Sequence, residues 1–211
     1  MRAPFLLQCL ALAAAQGADT TPFGIHIAYG SAGGSTSMTV MWSTRAPLAT
    51  SVVAVRSPTA FNASGDSFLF SDSNNVQTMH RVHLSGLTPA TAYTYTVGST
   101  GGASSAPFTF STQPAPGAAW QPTLAIFGDM GISANAQATM PLLLADAASG
   151  AIDAVVHTGD AAYDLESNNG AVGDAFMQQI QPLAANVPCA FLRRAIPRQR
   201  HSSPSQKRGT P

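Results

Sequence analysis

Leu84-Ser85-Gly86-Leu87-Thr88-Pro89-Ala90-Thr91-Ala92-Tyr93-Thr94-Tyr95-Thr96-Val97 is the stretch on which the fold turns. Leu87, Pro89 and Tyr93 stand at the spacing of a tyrosine corner, where a tyrosine hydroxyl bonds back to the chain at the corner of a sheet. That is a structural device, not a catalytic one. Working outward, residues 22–112 read as short strands separated by Gly, Ser, Pro and Asn clusters, with no helical period. Met38, Val40 and Trp42 alternate with Thr39, Met41 and Ser43, the period of a strand with one buried face. Residues 52–55, 68–70 and 108–110 supply further strand-like runs, and together these predict a two-sheet sandwich. His80 and His83, three apart, face opposite sides of their strand and read as structural or exposed rather than metal-binding.

Gln113-Pro114-Ala115-Pro116-Gly117-Ala118-Ala119 is a linker by composition, and a domain boundary belongs there. Beyond it the rhythm changes to strand, turn, helix, twice over. Residues 123–127 form a short apolar strand; Met140, Leu143, Leu144 and Ala147 fall on one helical face that Gly150 can end. Residues 152–156 form a second buried strand. Val172, Phe176, Ile180 and Leu183 then recur at helical spacing until Pro182 kinks or ends the helix. Two strands cannot by themselves make a covered parallel sheet, so a larger α/β domain is implied.

Both of these strands end in Gly-Asp: Gly128-Asp129-Met130-Gly131 and Gly159-Asp160-Ala161-Ala162-Tyr163. Ligands of open α/β sheets bind beyond the carboxyl ends of the strands, so adjacent strands would set two carboxylates on one rim. Hard carboxylate and phenolate oxygens suit a divalent or trivalent metal, and one Asp can bridge two ions. Each motif alone also has a plain reading, with Asp capping a turn and Gly permitting it. The pair, separated by a helix, is more specific. His157 reads as a packed strand histidine, and Asp164 and Glu166 as solvated acids.

The order of a fibronectin type III-like sandwich, then GDxG, then GDxxY, resembles the purple acid phosphatases of the calcineurin-like metallophosphoesterase superfamily. Ile25-His26-Ile27-Ala28-Tyr29-Gly30 and Met38-Thr39-Val40-Met41-Trp42-Ser43-Thr44 look like that family's N-terminal domain. Val172-Gly173-Asp174-Ala175-Phe176-Met177-Gln178-Gln179-Ile180-Gln181-Pro182 looks like the segment after its second motif. The resemblance implies an all-β sandwich followed by the first β-α units of an αββα metallophosphoesterase domain. It implies phosphate monoesters as substrates, hydrolysed at acid pH by Fe(III) paired with Zn, Mn or Fe as the divalent metal. Within that pattern Asp129 corresponds to the terminal iron ligand, Asp160 to the carboxylate bridging the two metals, and Tyr163 to the phenolate that colours the iron. The pattern continues with Asn-His-Glu and later histidines, which do not follow Pro188 in these 211 residues. The expectation is therefore an incomplete metal site and no appreciable phosphatase activity from this chain alone. A secreted fibronectin-like binding module without catalysis is the competing reading.

Charge is scarce and balanced, with 10 basic and 10 acidic residues, and gives no basis for nucleic-acid or membrane-surface binding. The balance conceals an asymmetry. Residues 1–192 hold four arginines and every carboxylate, whereas residues 193–211 hold Arg193, Arg194, Arg198, Arg200, Lys207 and Arg208 and no acid. That break suggests a disordered basic tail or a reading-frame or exon change near residues 188–191, and His201, in this tail, is assigned no ligand role. The N-terminus, with Arg2, a short apolar run and small residues at Ala13 and Ala15, fits a signal peptide over 1–17. The secretory route, ending outside the cell or in a lysosome or vacuole, follows. Cys9 would leave with the signal and Cys189 would remain without an intrachain partner. Asn62-Ala63-Ser64 is a glycosylation sequon, expected on a loop beside Gly65. The resulting division is 18–112 sandwich, 113–119 linker, 120–192 incomplete metallophosphoesterase domain and 193–211 tail.

Overall fold

A computed structural model describes residues 19–72, 75–100 and 102–191. The expected signal peptide over 1–17 and the basic tail over 193–211, with Cys9 and His201, lie outside the described residues. Seven antiparallel strands come first: β1 Phe23–Tyr29, β2 Ser37–Thr44, β3 Ser51–Ser57, β4 Phe61–Asp72, β5 Asn75–Ser85, β6 Ala92–Gly98 and β7 Phe108–Ser111. They pair in the order β1-β2-β5-β4-β3-β6-β7. Both sheets of the sandwich therefore belong to one hydrogen-bonded ribbon, and β4 is where it passes from one to the other. Its residues 61–65 pair with β3 and its residues 66–72 with β5. The crossing point is Gly65, where an added Cβ would lie 2.1 Å from the carbonyl oxygen of Arg81. Only glycine lets the two backbones approach so closely.

The alternation read in β2 is observed as far as Trp42: Met38, Val40 and Trp42 are fully buried and Thr39 and Met41 are not, whereas Ser43, read on the open face, is buried where the strand end meets β5. Ile25, Ile27, Val53, Val55, Val82, Leu84 and Phe110 join them in the sandwich core. Each such side chain contributes roughly 1.5–3 kcal/mol on leaving water. The tyrosine corner forms as expected, the backbone N–H of Thr88 donating to the Tyr93 hydroxyl at 2.8 Å. His80 is buried, stacked on Trp42 at 5.0 Å between ring centroids. The Thr44 hydroxyl donates to the Ala46 carbonyl at 2.5 Å, so it accepts from Nε2–H of His80, and Nδ1 accepts from the Ser51 hydroxyl. His83 faces the other way and bonds Thr39. Asn62 is exposed but lies within β4, paired with Ala54, not on a loop. Gly65 misled that reading because it marks a strand crossing rather than a turn.

Residues 113–119 carry no helix or strand. After them come β8 Leu124–Phe127, α1 Ala134–Ser149, β9 Ala154–His157, α2 Ser167–Ala184 and β10 Cys189–Phe191. The three strands are parallel, in the order β10-β9-β8. The sequence pointed to two strands; the third is the short Cys189-Ala190-Phe191 run, paired with residues 155–157, so the sheet continues through the region assigned to a compositional break. Gly150 ends α1 in the left-handed region at φ 72°. α2 is irregular at its start, with Asn168, Asn169 and Gly170 all left-handed, and it ends two residues after Pro182. Cys189 is a free thiol whose pKa burial pushes up to about 12. No helix among the described residues is long and apolar enough to cross a membrane.

The two parts are locked together through α2. Its Gln181 side chain accepts from the Ile25 N–H of β1 at 3.1 Å, and the Tyr95 hydroxyl donates to the Ala185 carbonyl at 2.6 Å. Ala185 itself is buried in the sandwich core. Arg45 reaches Asp174 at 2.5 Å while lying 4.8 Å over the Phe23 ring, and Gln77 donates to the second carboxylate oxygen of Asp174 at 2.6 Å. A carboxylate removed from water at this seam is thus held by two donors.

Candidate metal centre

The parallel sheet decides where the chemistry sits. Because β8 and β9 run side by side in the same direction, the chain segments that follow them emerge on one rim. Asp129 follows β8 at φ 55° and Asp160 follows β9 at φ 43°. Both lie in the left-handed region, where residues other than glycine are uncommon and aspartate is among the more tolerant. Their glycine partners explain the tight turns. A Cβ on Gly128 would come 2.8 Å from the Thr158 hydroxyl, and Gly159 adopts φ 130°. The loops are then tied to each other, the Asp129 N–H donating to the Gly159 carbonyl at 3.3 Å and the Gly131 N–H to the Ala161 carbonyl at 2.9 Å.

Tyr163 closes the arrangement. Its hydroxyl donates to Oδ1 of Asp129. The phenol is 58% exposed. The hydrogen bond to Asp129, then desolvation, then the negative charges of Asp129 and Asp160 raise its pKa, so the phenol keeps its proton. Asp129 and Asp160 are themselves open to solvent. Two carboxylates and a phenol on one rim form a donor set for a hard cation that would displace that proton. No cluster of three His, Cys, Asp or Glu among the described residues is placed to hold a metal ion, so these oxygens are a partial set.

His157, one strand residue before the second motif, is 2% exposed and packs against Phe127, Phe176 and Phe191, the last stacked at 5.2 Å. Among the described residues neither ring nitrogen meets a partner at full hydrogen-bond geometry, and burial lowers its pKa against the opposing pull of Asp129 and the Gly159 backbone. It is the packed histidine expected. Asp164 and Glu166 are exposed, also as expected. Sequence reasoning passed over Gln179, whose side-chain amide donates to the Gly131 carbonyl at 2.8 Å and so fixes the first motif loop to α2. It also passed over Asp174 as the anchor for Arg45. Both lie in the 172–182 stretch already singled out, but nothing in helical spacing says which polar residue reaches a loop 48 positions away.

Residues 22–112 match the family described as purple acid phosphatase, N-terminal domain. Across 174 residues the chain is 40% identical to the acid phosphatase type 7 of Mus musculus, which takes in 80% of this chain and 38% of that protein. The Homo sapiens protein of the same name is 38% identical over 176 residues, 81% of this chain and 39% of its own length. The chain thus spans about two fifths of these relatives. A purple acid phosphatase from seeds of yellow lupin (Lupinus luteus) superposes with a TM-score of 0.64 at 23% identity, over 82% of this chain and 35% of that one, a likeness of fold.

Proposed function

We propose, from the premise that residues 22–112 are a purple acid phosphatase N-terminal domain, that residues 120–192 are the opening part of the family's metallophosphoesterase domain. Asp129, Asp160 and Tyr163 are then the first ligands of an Fe(III)–divalent metal pair that acts on phosphate monoesters. The observation that carries this reading is the Tyr163 phenol bonded to the Asp129 carboxylate on the rim shared with Asp160. A plain strand-end turn has no need of that contact.

In this reading Asp129, Asp160 and Tyr163 would hold the metal pair through their side-chain oxygens. The metal pair would supply Lewis acidity for the phosphate and a hydroxide nucleophile at low pH. The left-handed turns at Asp129 and Asp160, the cross-loop hydrogen bonds and Gln179 hold the three oxygens in place before any cation arrives. Pre-positioning of this kind is what makes a site selective in geometry. The remaining ligands would come from the part of the relatives that this chain does not span. We further propose passage through the secretory route and glycosylation at Asn62, whose exposed position on β4 leaves it accessible.

Ferric titration tests the assignment. A visible iron–phenolate band that develops with the parent chain and disappears with Tyr163→Phe and Asp129→Ala is the expected result. Ferric binding unaffected by both substitutions would overturn it.

A further inference from the structure

The second half of β4 has one side too few. Residues 66–72 pair with β5, but the β3 ladder on the other side stops at Gly65, and among the described residues no strand covers the free edge of 66–72. Exposed edges are ordinarily blunted by lysine, proline or a covering loop. Here the edge presents Phe68, Leu69 and Phe70 at 55%, 65% and 43% exposure. The strand is in addition a palindrome, Asp66-Ser67-Phe68-Leu69-Phe70-Ser71-Asp72, reading the same from either end about Leu69.

We infer that this edge is the self-association site of the protein, β4 of one chain pairing antiparallel with β4 of a second copy about a two-fold axis through Leu69. A two-fold interface requires a patch complementary to itself, and an antiparallel strand pair reverses one sequence against the other. A palindromic strand is the sequence that meets both demands in one register. Leu69 stands opposite its own copy on one face; on the other, Phe68 meets Phe70 of the second copy and Phe70 meets Phe68. Ser67 meets Ser71 further out. Cross-strand aromatic pairs of this kind stabilise a sheet, and the free N–H and C=O groups of the edge find partners in the same act. At the ends the register brings Asp66 level with residue 72 of the other copy, where Arg81, 3.7 Å from Asp66, supplies a positive charge. The pairing joins the two sandwiches into a continuous sheet and is independent of the metal reading above.

Sedimentation of the full chain over a range of concentrations, with two sets of variants, tests this. The parent should show a reversible monomer–dimer equilibrium. Leu69→Lys should raise its dissociation constant by at least about tenfold by placing two ammonium groups against each other. Circular dichroism should stay the same, since Leu69 is exposed. In the second set Leu69→Cys should cross-link to itself on mild oxidation, more than the parent with its own cysteines, because facing residues of an antiparallel pair lie within roughly 4.5–5.5 Å and so within disulfide reach. Ser67→Cys and Ser71→Cys should cross-link when mixed more than either does alone. A parent that remains monomeric throughout would overturn the proposal. A dimer that Leu69→Lys leaves intact and that does not trap through position 69 would also overturn it. If Leu69→Lys fails to fold, the cysteine pairs decide the question.

Discussion

The hydroxyl of Tyr163 donates to Oδ1 of Asp129, joining the loop after β9 to the loop after β8. The two residues are 34 positions apart in the chain, with the whole of α1 between them. Replacing Tyr163 by Phe removes one exposed hydrogen bond and no buried surface, so unfolding free energy should change by less than about 0.5 kcal/mol. The ferric absorption band should vanish in the same variant. Chemical denaturation and absorbance on one preparation separate the two effects.

The seam between the sandwich and α2 is expected to be worth more. Tyr95→Phe leaves the buried Ala185 carbonyl without its donor, at a cost of about 1–2 kcal/mol. Asp174→Ala leaves Arg45 and Gln77 with only their shared acceptor on Asn75 and should cost about 1–3 kcal/mol, with Arg45→Ala costing less because that side chain is partly in water. Urea unfolding of the three variants measures this, and hydrogen exchange at residues 183–187 should quicken in Tyr95→Phe.

Stability should fall with acid through His80. Burial between Trp42, Thr44 and Ser51 lowers its pKa from 6.5 to about 4, so the unfolded chain takes up this proton before the folded one does. The contribution is complete above pH 6.5 and is lost as pH falls from there towards 4. It amounts to something on the order of 2 kcal/mol. His26 and His157 are lowered in the same direction by burial. His80→Gln should therefore be less stable than the parent near neutrality and should show a shallower decline over the same window, as unfolding free energies at stepped pH will report.

Gly65→Ala should be severe. The added methyl meets a backbone carbonyl, which cannot rotate aside, so β4 or β5 must shift at the point where the two sheets join. A loss of at least about 2–3 kcal/mol in urea unfolding is expected. Gly33→Ala is the matched comparison for backbone preference alone, since Gly33 has positive φ and open space around it.

Local pattern was enough for most of the elements, β10 excepted, and it singled out the candidate ligands. The alternation of Met38, Val40 and Trp42 revealed a buried strand face because the strand period is two wherever one side is dry. Leu87, Pro89 and Tyr93 revealed a corner because its partner, Thr88, lies five residues from the tyrosine. Asp129 and Asp160 stood out because a Gly-Asp after an apolar strand is itself a local signal.

Tertiary structure alone decided the rest, and in each case the partners are distant in sequence. The Asp174–Arg45 contact spans 129 positions and the Tyr95–Ala185 contact 90. Whether Gly65 sits on a turn or at a crossing depends on Arg81, in the next strand. The role of Cys189-Ala190-Phe191 as a third strand depends on β9 being there to pair with it, since three residues carry too little periodicity to declare a strand. The same holds for Tyr163: its sequence placed it three residues after a Gly-Asp motif, and only the parallel pairing of β8 with β9 brought its hydroxyl to Asp129. A side chain's local spacing sets the direction it leaves its own element, whereas the packing of other elements sets what it meets.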